Sequence, residues 1–197
     1  MLDLMMNKSN DLEIREAFHK KKLSQQHKNK DTLIIDELGL LHGSNRIDIA
    51  VIGKKIHGYE IKSAKDNLKR LEGQLNSYSR TLQKLTFVIA PEHLVDVMKF
   101  IPQWCGVIIA EKGVRGGITF RSIRKALLNP DFDKTSAAHL LWKNEAQFML
   151  SSLGYDKKST NKKRIELYKL ISQSLSTNEL VGKIKETLST RENWRAE

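Results

Sequence analysis

Residues 46–62, RIDIAVIGKKIHGYEIK, decide the fold of this chain. An apolar run broken by one acid, Asp48, ends at a Gly-Lys-Lys turn, and a second run starts at Ile56. Short apolar runs bounded by turn residues are strands, and so brief a link makes them antiparallel neighbours. Side chains alternate along a strand, so Glu60 and Lys62 share one face while Tyr59 and Ile61 take the other. The twelve-residue hairpin from Asp48 to Glu60 returns the first acid to the second, which sets two carboxylates beside an ammonium.

Upstream, TLIIDEL (32–38) is a further strand, joined through LHGSN, so the three strands form a meander. Before it, DLEIREAFHKKKL (11–23) places Leu12, Ala17 or Phe18, and Leu23 on one helical face with Asp11 as N-cap, and QQHKNK is a polar connection. Downstream, Leu68, Leu71, Leu75, Tyr78 and Leu82 recur at steps of three and four, which predicts a helix over 65–82 capped by Ser63 or Asp66. A buried strand (KLTFVIAP, 84–91), a helix closed by Pro102 and another buried strand (QWCGVIIAE, 103–111) follow. Beyond EKGVRGG the spacing predicts helices at 121–128, 136–153, 160–175 and 178–190. The expected organisation is an α/β core over 1–118 and an all-α C-terminal extension over 119–197.

Of the 197 residues, 40% are hydrophobic and 29% charged, the balance of a globular protein with enough apolar mass for a core. No stretch approaches the roughly 18 apolar residues of a membrane span. The opening MLDLMMNKSNDLEIR has early acids and no long apolar run, so neither a signal peptide nor an anchor is expected and the cytoplasm is the expected location. The single cysteine, Cys105, excludes an internal disulfide and a multi-cysteine zinc site, and its apolar setting predicts a buried, inert thiol. A net charge of +11 suits a polyanion, because Lys and Arg release the counterions condensed on phosphates. Residues 121–197 carry 15 basic and 9 acidic residues, and Lys157, Lys158, Lys162, Lys163 and Arg164 gather five cations within eight positions. They are read as a nucleic-acid contact surface, against the plainer alternative of a solvated charge run.

Two hard oxygen donors on rigid strands are what Mg²⁺ or Mn²⁺ requires for phosphodiester hydrolysis, and a lysine beside them can orient water and offset developing charge. Asp48, a hairpin, then Glu60-Ile61-Lys62 resembles the signature of the PD-(D/E)XK nuclease superfamily, with Ile47 where the name has proline. Helix, three-stranded meander, helix and strand, over residues 11–90, is similar to that superfamily's restriction-endonuclease-like αβββαβ core. Gln74 and Tyr78, one helical turn apart, resemble the Q-x-x-x-Y element of its RecB-like members.

The resemblance implies a mixed sheet and catalysis centred on Asp48, Glu60 and Lys62, with Gln74 and Tyr78 shaping the site. It also implies Mg²⁺ or Mn²⁺ held by Asp48 and Glu60, and a further acid from the first helix or first strand. Glu13 and Glu37 are the choices for that acid, ahead of Glu16. Arg46 and Ser63 border the site as phosphate contacts.

The function expected is a metal-dependent nuclease acting on nucleic acid, DNA favoured, with room for a homodimer or an additional subunit. The rival is a catalytically silent nucleic-acid-binding or assembly module of the same fold. On that view Asp48 and Lys62 are a cross-strand ion pair. The six histidines show no ligand spacing, and His42 and His57 read as exposed loop residues without a role.

Overall fold

The computed structural model describes residues 9–192. Part of the opening segment MLDLMMNKSNDLEIR, and Trp194, read from the sequence as an anchor for the packing of the tail or as a partner contact, lie outside the described residues. Six strands form one sheet in sequence order: β1 (Leu33–Leu40), β2 (Asn45–Ile52), β3 (Ile56–Lys62), β4 (Lys84–Ile89), β5 (Gly106–Lys112) and β6 (Ile118–Arg124). β1, β2 and β3 are the antiparallel meander, β3, β4 and β5 run parallel, and β6 returns antiparallel, so the sheet is mixed.

The parallel pairs need crossovers, and helices supply them. α3 (Leu71–Thr81) joins β3 to β4, and a 3-10 turn at Pro91–His93 with α4 (Leu94–Phe100) joins β4 to β5. Both lie on one face, where Tyr78, Leu82, Val97 and Ile101 meet Leu38, Leu40, Ile47, Ile52, Phe87 and Val107. The opposite face is covered by α1 (Asp11–Lys21), whose Ile14 and Phe18 pack with Leu23 against Ile49, Ile61, Val88 and Ala110. The buried stripe of α1 thus runs through Ile14, while Leu12 is exposed. Asn10, not Asp11, caps it: its side chain accepts from the Glu13 amide and the Glu13 carboxylate accepts from the Asn10 amide. α2 (Ser24–Lys28), a single turn, occupies part of the expected polar connection.

The C-terminal segment departs from expectation at its start. Residues 121–124 belong to β6 rather than to a helix. The helices that follow are α5 (Lys134–Ala138), α6 (Lys143–Ser152), α7 (Lys157–Thr160), α8 (Arg164–Ser174) and α9 (Thr177–Ser189). The expected helix over 136–153 is broken at residues 139–142, and that over 160–175 at 161–163. Leu140, Tyr168, Ile171, Val181 and Ile184 belong to the same apolar cluster as the α3 face of the sheet. The extension is therefore a helical layer on the sheet, sharing its core. The Arg191 guanidinium lies over the Trp142 ring, 4.3 Å from its centre. Among the described residues no helix is long and apolar enough to cross a membrane.

Candidate active site

The meander loses its regular alternation at one place. In β1, Leu33 and Ile35 face the α3 side, but Leu38 and Leu40 do so further on, a change of parity. In β2, Ala50 and Ile52 face that side, and then Ile47, again with parity changed. The β1–β2 ladder pairs Asp36 with Ile49 and Leu38 with Ile47, and between these pairs stand Glu37 and Asp48. Glu37 has φ 56°, in the left-handed region that costs a non-glycine residue about 1–2 kcal/mol. Both strands are thus kinked at the same level, at an acid in each.

Asp48 also stands where β2 and β3 part. Their pairing ends at Ile49 and Tyr59, and one step further the Asp48 Oδ2 accepts the Ile61 amide at 2.5 Å in place of a backbone carbonyl. Its other oxygen lies 3.5 Å from Arg15 Nη2, which comes from α1. Burial, reinforced by the charge of Glu60, pushes the Asp48 carboxyl up to about 8.

Glu60, 2% exposed, projects from β3 toward α3. Its Oε1 accepts from Lys62 Nζ at 2.7 Å and Gln74 Nε2 at 2.9 Å, and its Oε2 accepts from the Tyr78 hydroxyl at 2.7 Å. Lys62 Nζ donates also to Gln74 Oε1 at 3.1 Å. Burial holds the Glu60 carboxyl above its usual range, opposed by Lys62, Tyr78 and Gln74. Burial and the adjacent carboxylate push the Tyr78 hydroxyl up, so it is a donor at every ordinary pH.

The structure therefore brings together Asp48, Glu60, Lys62, Gln74 and Tyr78, the helical pair because α3 lays its Tyr78 seam against β3. The chain needs to turn before α3 can begin: Asp66 accepts the Ser63 amide and hydroxyl at 2.7 and 2.6 Å, and the helix starts at Leu71 rather than at 65. Neither Ser63 nor Asp66 caps it. Ser63 is buried with its hydroxyl committed to Asp66, so it is not presented as a phosphate contact. Arg46 is, with a side chain 65% exposed and only a 3.4 Å contact to Glu37. Its backbone carbonyl accepts from the Tyr78 hydroxyl at 2.8 Å, which ties it to the Glu60 cluster.

Of the other acids, Glu37 reaches the group and Glu13 does not. Glu13 is spent on the Asn10 amide and on Lys112 Nζ, 2.8 Å away at the β5 side of α1. The first helix instead contributes Asp11 and Arg15. Asp11 Oδ2 lies 2.7 Å from Arg15 Nη2, and the same nitrogen pairs with Glu37 Oε1. The four-residue spacing of Asp11 and Arg15, continued by His19 on Asp36, was the available signal. Lys157, Lys158, Lys162, Lys163 and Arg164 are exposed on α7, the linker and the start of α8. Arg164 Nη1 lies 3.3 Å from His42 Nδ1 in the β1–β2 turn. His57 is a β3 residue, not a loop residue. It is stacked on Tyr59 at 4.2 Å and held neutral, its pKa pushed down to about 3 by burial and Lys84.

Among the described residues no three of His, Cys, Asp and Glu are arranged to hold a metal ion as they stand. The donor set still suits a hard divalent cation in kind. Four carboxyl groups (Asp11, Glu37, Asp48, Glu60) stand with three cationic groups (Arg15, Arg46, Lys62), and burial holds the two most enclosed, Asp48 and Glu60, above their usual range, a cost that a divalent cation between them would relieve. Asp48 and Glu60, with Glu37, are the residues that would hold it.

Fold and site define a mixed α/β protein with a buried carboxylate–lysine–glutamine–tyrosine cluster on one face of its sheet. The chain belongs to the bacteriophage P4 protein cII family, whose sequence profile matches residues 5–195. It is similar to Protein cII of Enterobacteria phage P4, 28% identical over 150 residues. That match covers 76% of this chain and 56% of the relative, so the chain spans little more than half the relative's length. Among solved structures it is similar to the SPO1766 protein of unknown function from Silicibacter pomeroyi, at a TM-score of 0.48 and 14% identity, covering 74% of this chain and 92% of that one.

Proposed function

We propose that this protein is a metal-dependent nuclease of the PD-(D/E)XK type that hydrolyses phosphodiester bonds of DNA. The observation that supports it is the convergence of Asp48 and Glu60, from strands that part at that level, with Lys62 donating to Glu60 at 2.7 Å. Asp48 and Glu60 would hold a divalent cation, which would supply Lewis-acid polarisation of the phosphate and a more acidic water.

The chain's own groups do the rest. Gln74 and Tyr78 fix the Glu60 carboxylate through both oxygens, so its orientation is set before substrate arrives. The Lys62 ammonium, buried and held by Glu60 and Gln74, can turn one N–H to a water or to a phosphate oxygen and offset charge there. On this reading Arg46, exposed beside the cluster, would take a neighbouring phosphate, and the exposed α7–α8 cations would take others.

The test is cleavage of supercoiled plasmid, linear duplex and single strands in Mg²⁺, Mn²⁺ or EDTA by the wild type, Asp48→Ala and Lys62→Ala. Metal-dependent cleavage lost in both variants is the expected result. DNA binding without cleavage in any metal would put the silent binding module in its place.

A further inference from the structure

We propose that Arg15 is an internal counter-ion that occupies the acidic flank of this site and must give way when a divalent cation binds Asp48. This rests on the metal-dependent reading above and adds its regulation.

Arginine normally meets carboxylates with two parallel N–H bonds from its planar fork. Arg15 does not. Three carboxylates, from Asp11, Glu37 and Asp48, converge on its single Nη2, which has only two hydrogens to give. Its Nε is buried and has no hydrogen-bond partner among the described residues. Oxygens gathered around one point, with the fork's other donor left unmatched, is the pattern of ligands around an ion. The guanidinium is there for its charge. The acids also arrive from three separate elements, α1, β1 and β2, and Glu37 does so from a left-handed backbone.

The position of Nη2 makes it a competitor. It lies 3.5 Å from Asp48 Oδ1, the oxygen that the Ile61 amide leaves open. An ion ligated by that oxygen at about 2.1 Å stands against the guanidinium, and two positive charges so close in a partly buried place repel strongly. Arg15 therefore keeps the apoprotein's acids from repelling one another and sets the threshold of cation concentration at which the site loads. Its side chain is 15% exposed, so the guanidinium already borders solvent.

Mn²⁺ binding to the full chain, followed by calorimetry and by loss of the free-ion electron paramagnetic resonance signal, tests this. Arg15→Gln is expected to bind at least tenfold more tightly than the wild type, Arg15→Lys to stay near the wild type, and Asp48→Asn to bind neither with nor without Arg15. Equal or weaker binding by Arg15→Gln, with Asp48→Asn still abolishing it, overturns the proposal and leaves the metal reading standing. Failure of wild type and Arg15→Gln alike to bind at millimolar Mn²⁺ sinks both. Should Arg15→Gln not fold, Mg²⁺ titration of the wild type decides: the Arg15 Nε–H resonance, assigned by its absence in Arg15→Lys, must shift with the binding midpoint. A stationary resonance overturns the proposal.

Discussion

The Tyr78 hydroxyl has one proton and two acceptors, the Arg46 carbonyl at 2.8 Å and Glu60 Oε2 at 2.7 Å. The carboxylate is the stronger acceptor, so Glu60 depends on Tyr78 more than Arg46 does. Tyr78→Phe leaves Glu60 Oε2 buried without a donor and is expected to cost about 1–3 kcal/mol in urea unfolding, with the urea slope unchanged. A cost below about 0.5 kcal/mol would mean that water reaches Glu60 and that the site is wetter than described. Lys62→Ala strips a buried carboxylate of its ammonium, a class of change that costs about 3–5 kcal/mol, so its loss of cleavage counts only alongside an intact fold. At this scale the sequence was informative about Glu60 and Lys62, because a period of two alone puts them on one face. It was silent on Arg15, whose place among three acids depends on how α1 lies across the sheet.

Among the elements, the β2–β3 hairpin and its crossover helix were legible because their apolar periods are unbroken. β6 was not. Phe120, Ile123 and Leu127 stand at steps of three and four, as in a helix, whereas the strand alternates as Ile118 and Phe120 on the α1 face until a register shift opposite Val107 and Ile108 turns Ile123 to the other side. The strand neighbours also set limits on side-chain size. A Cβ at Gly106 would sit 2.7 Å from Thr86 Oγ1 and 2.8 Å from the Ala126 backbone nitrogen, and one at Gly58 would sit 2.5 Å from Leu82 Cδ1. The Leu82 side chain can turn, but the backbone at Ala126 cannot. Gly106→Ala is expected to destabilise by about 1–3 kcal/mol and by more than Gly58→Ala; chemical denaturation of the two variants would expose the reverse order.

The α5–α8 contact carries a pH dependence. The His139 ring lies tilted against Tyr168, with centroids 4.5 Å apart, and against His42 at 4.6 Å, and burial, with the charge of His42, pushes it down to about 4. Between pH 4 and 6.5 the unfolded chain holds more of this proton than the native one, so the contribution is complete above 6.5 and is lost as pH falls through 4. Asp48 and Glu60, held above their usual range, act with the opposite sign: their contribution is complete at low pH and fades as pH rises. The comparison that isolates the histidine is wild type against His139→Gln. The urea midpoint of the variant is expected to drop less between pH 7 and pH 4.5, and equal drops would remove His139 from the account.

For the molecule as a whole, the helical layer and the sheet stand or fall together. Ile184 on α9 is fully buried in the cluster that also holds Leu40, Phe87 and Val107. Ile184→Ala is expected to lose about 2–5 kcal/mol and to lower a single transition seen alike by far-ultraviolet circular dichroism and by tryptophan fluorescence. Two separated transitions would show that sheet and helices fold as independent units. The shared core was not legible beforehand because spacing shows that a helix has an apolar side and cannot show what that side covers.

The paired kinks at Glu37 and Asp48 bear on how such a protein changes over generations. Each turns its strand over, so that the halves on either side of it present opposite parity to the same core. Losing one residue at the kink in β1 alone would restore that strand's alternation but leave Asp48 of an unchanged β2 with nothing opposite it, an unpaired bulge at the level of the site. The two irregularities are therefore expected to be inherited as a unit, with length changes at this level occurring in the two strands together or leaving a bulge beside the site.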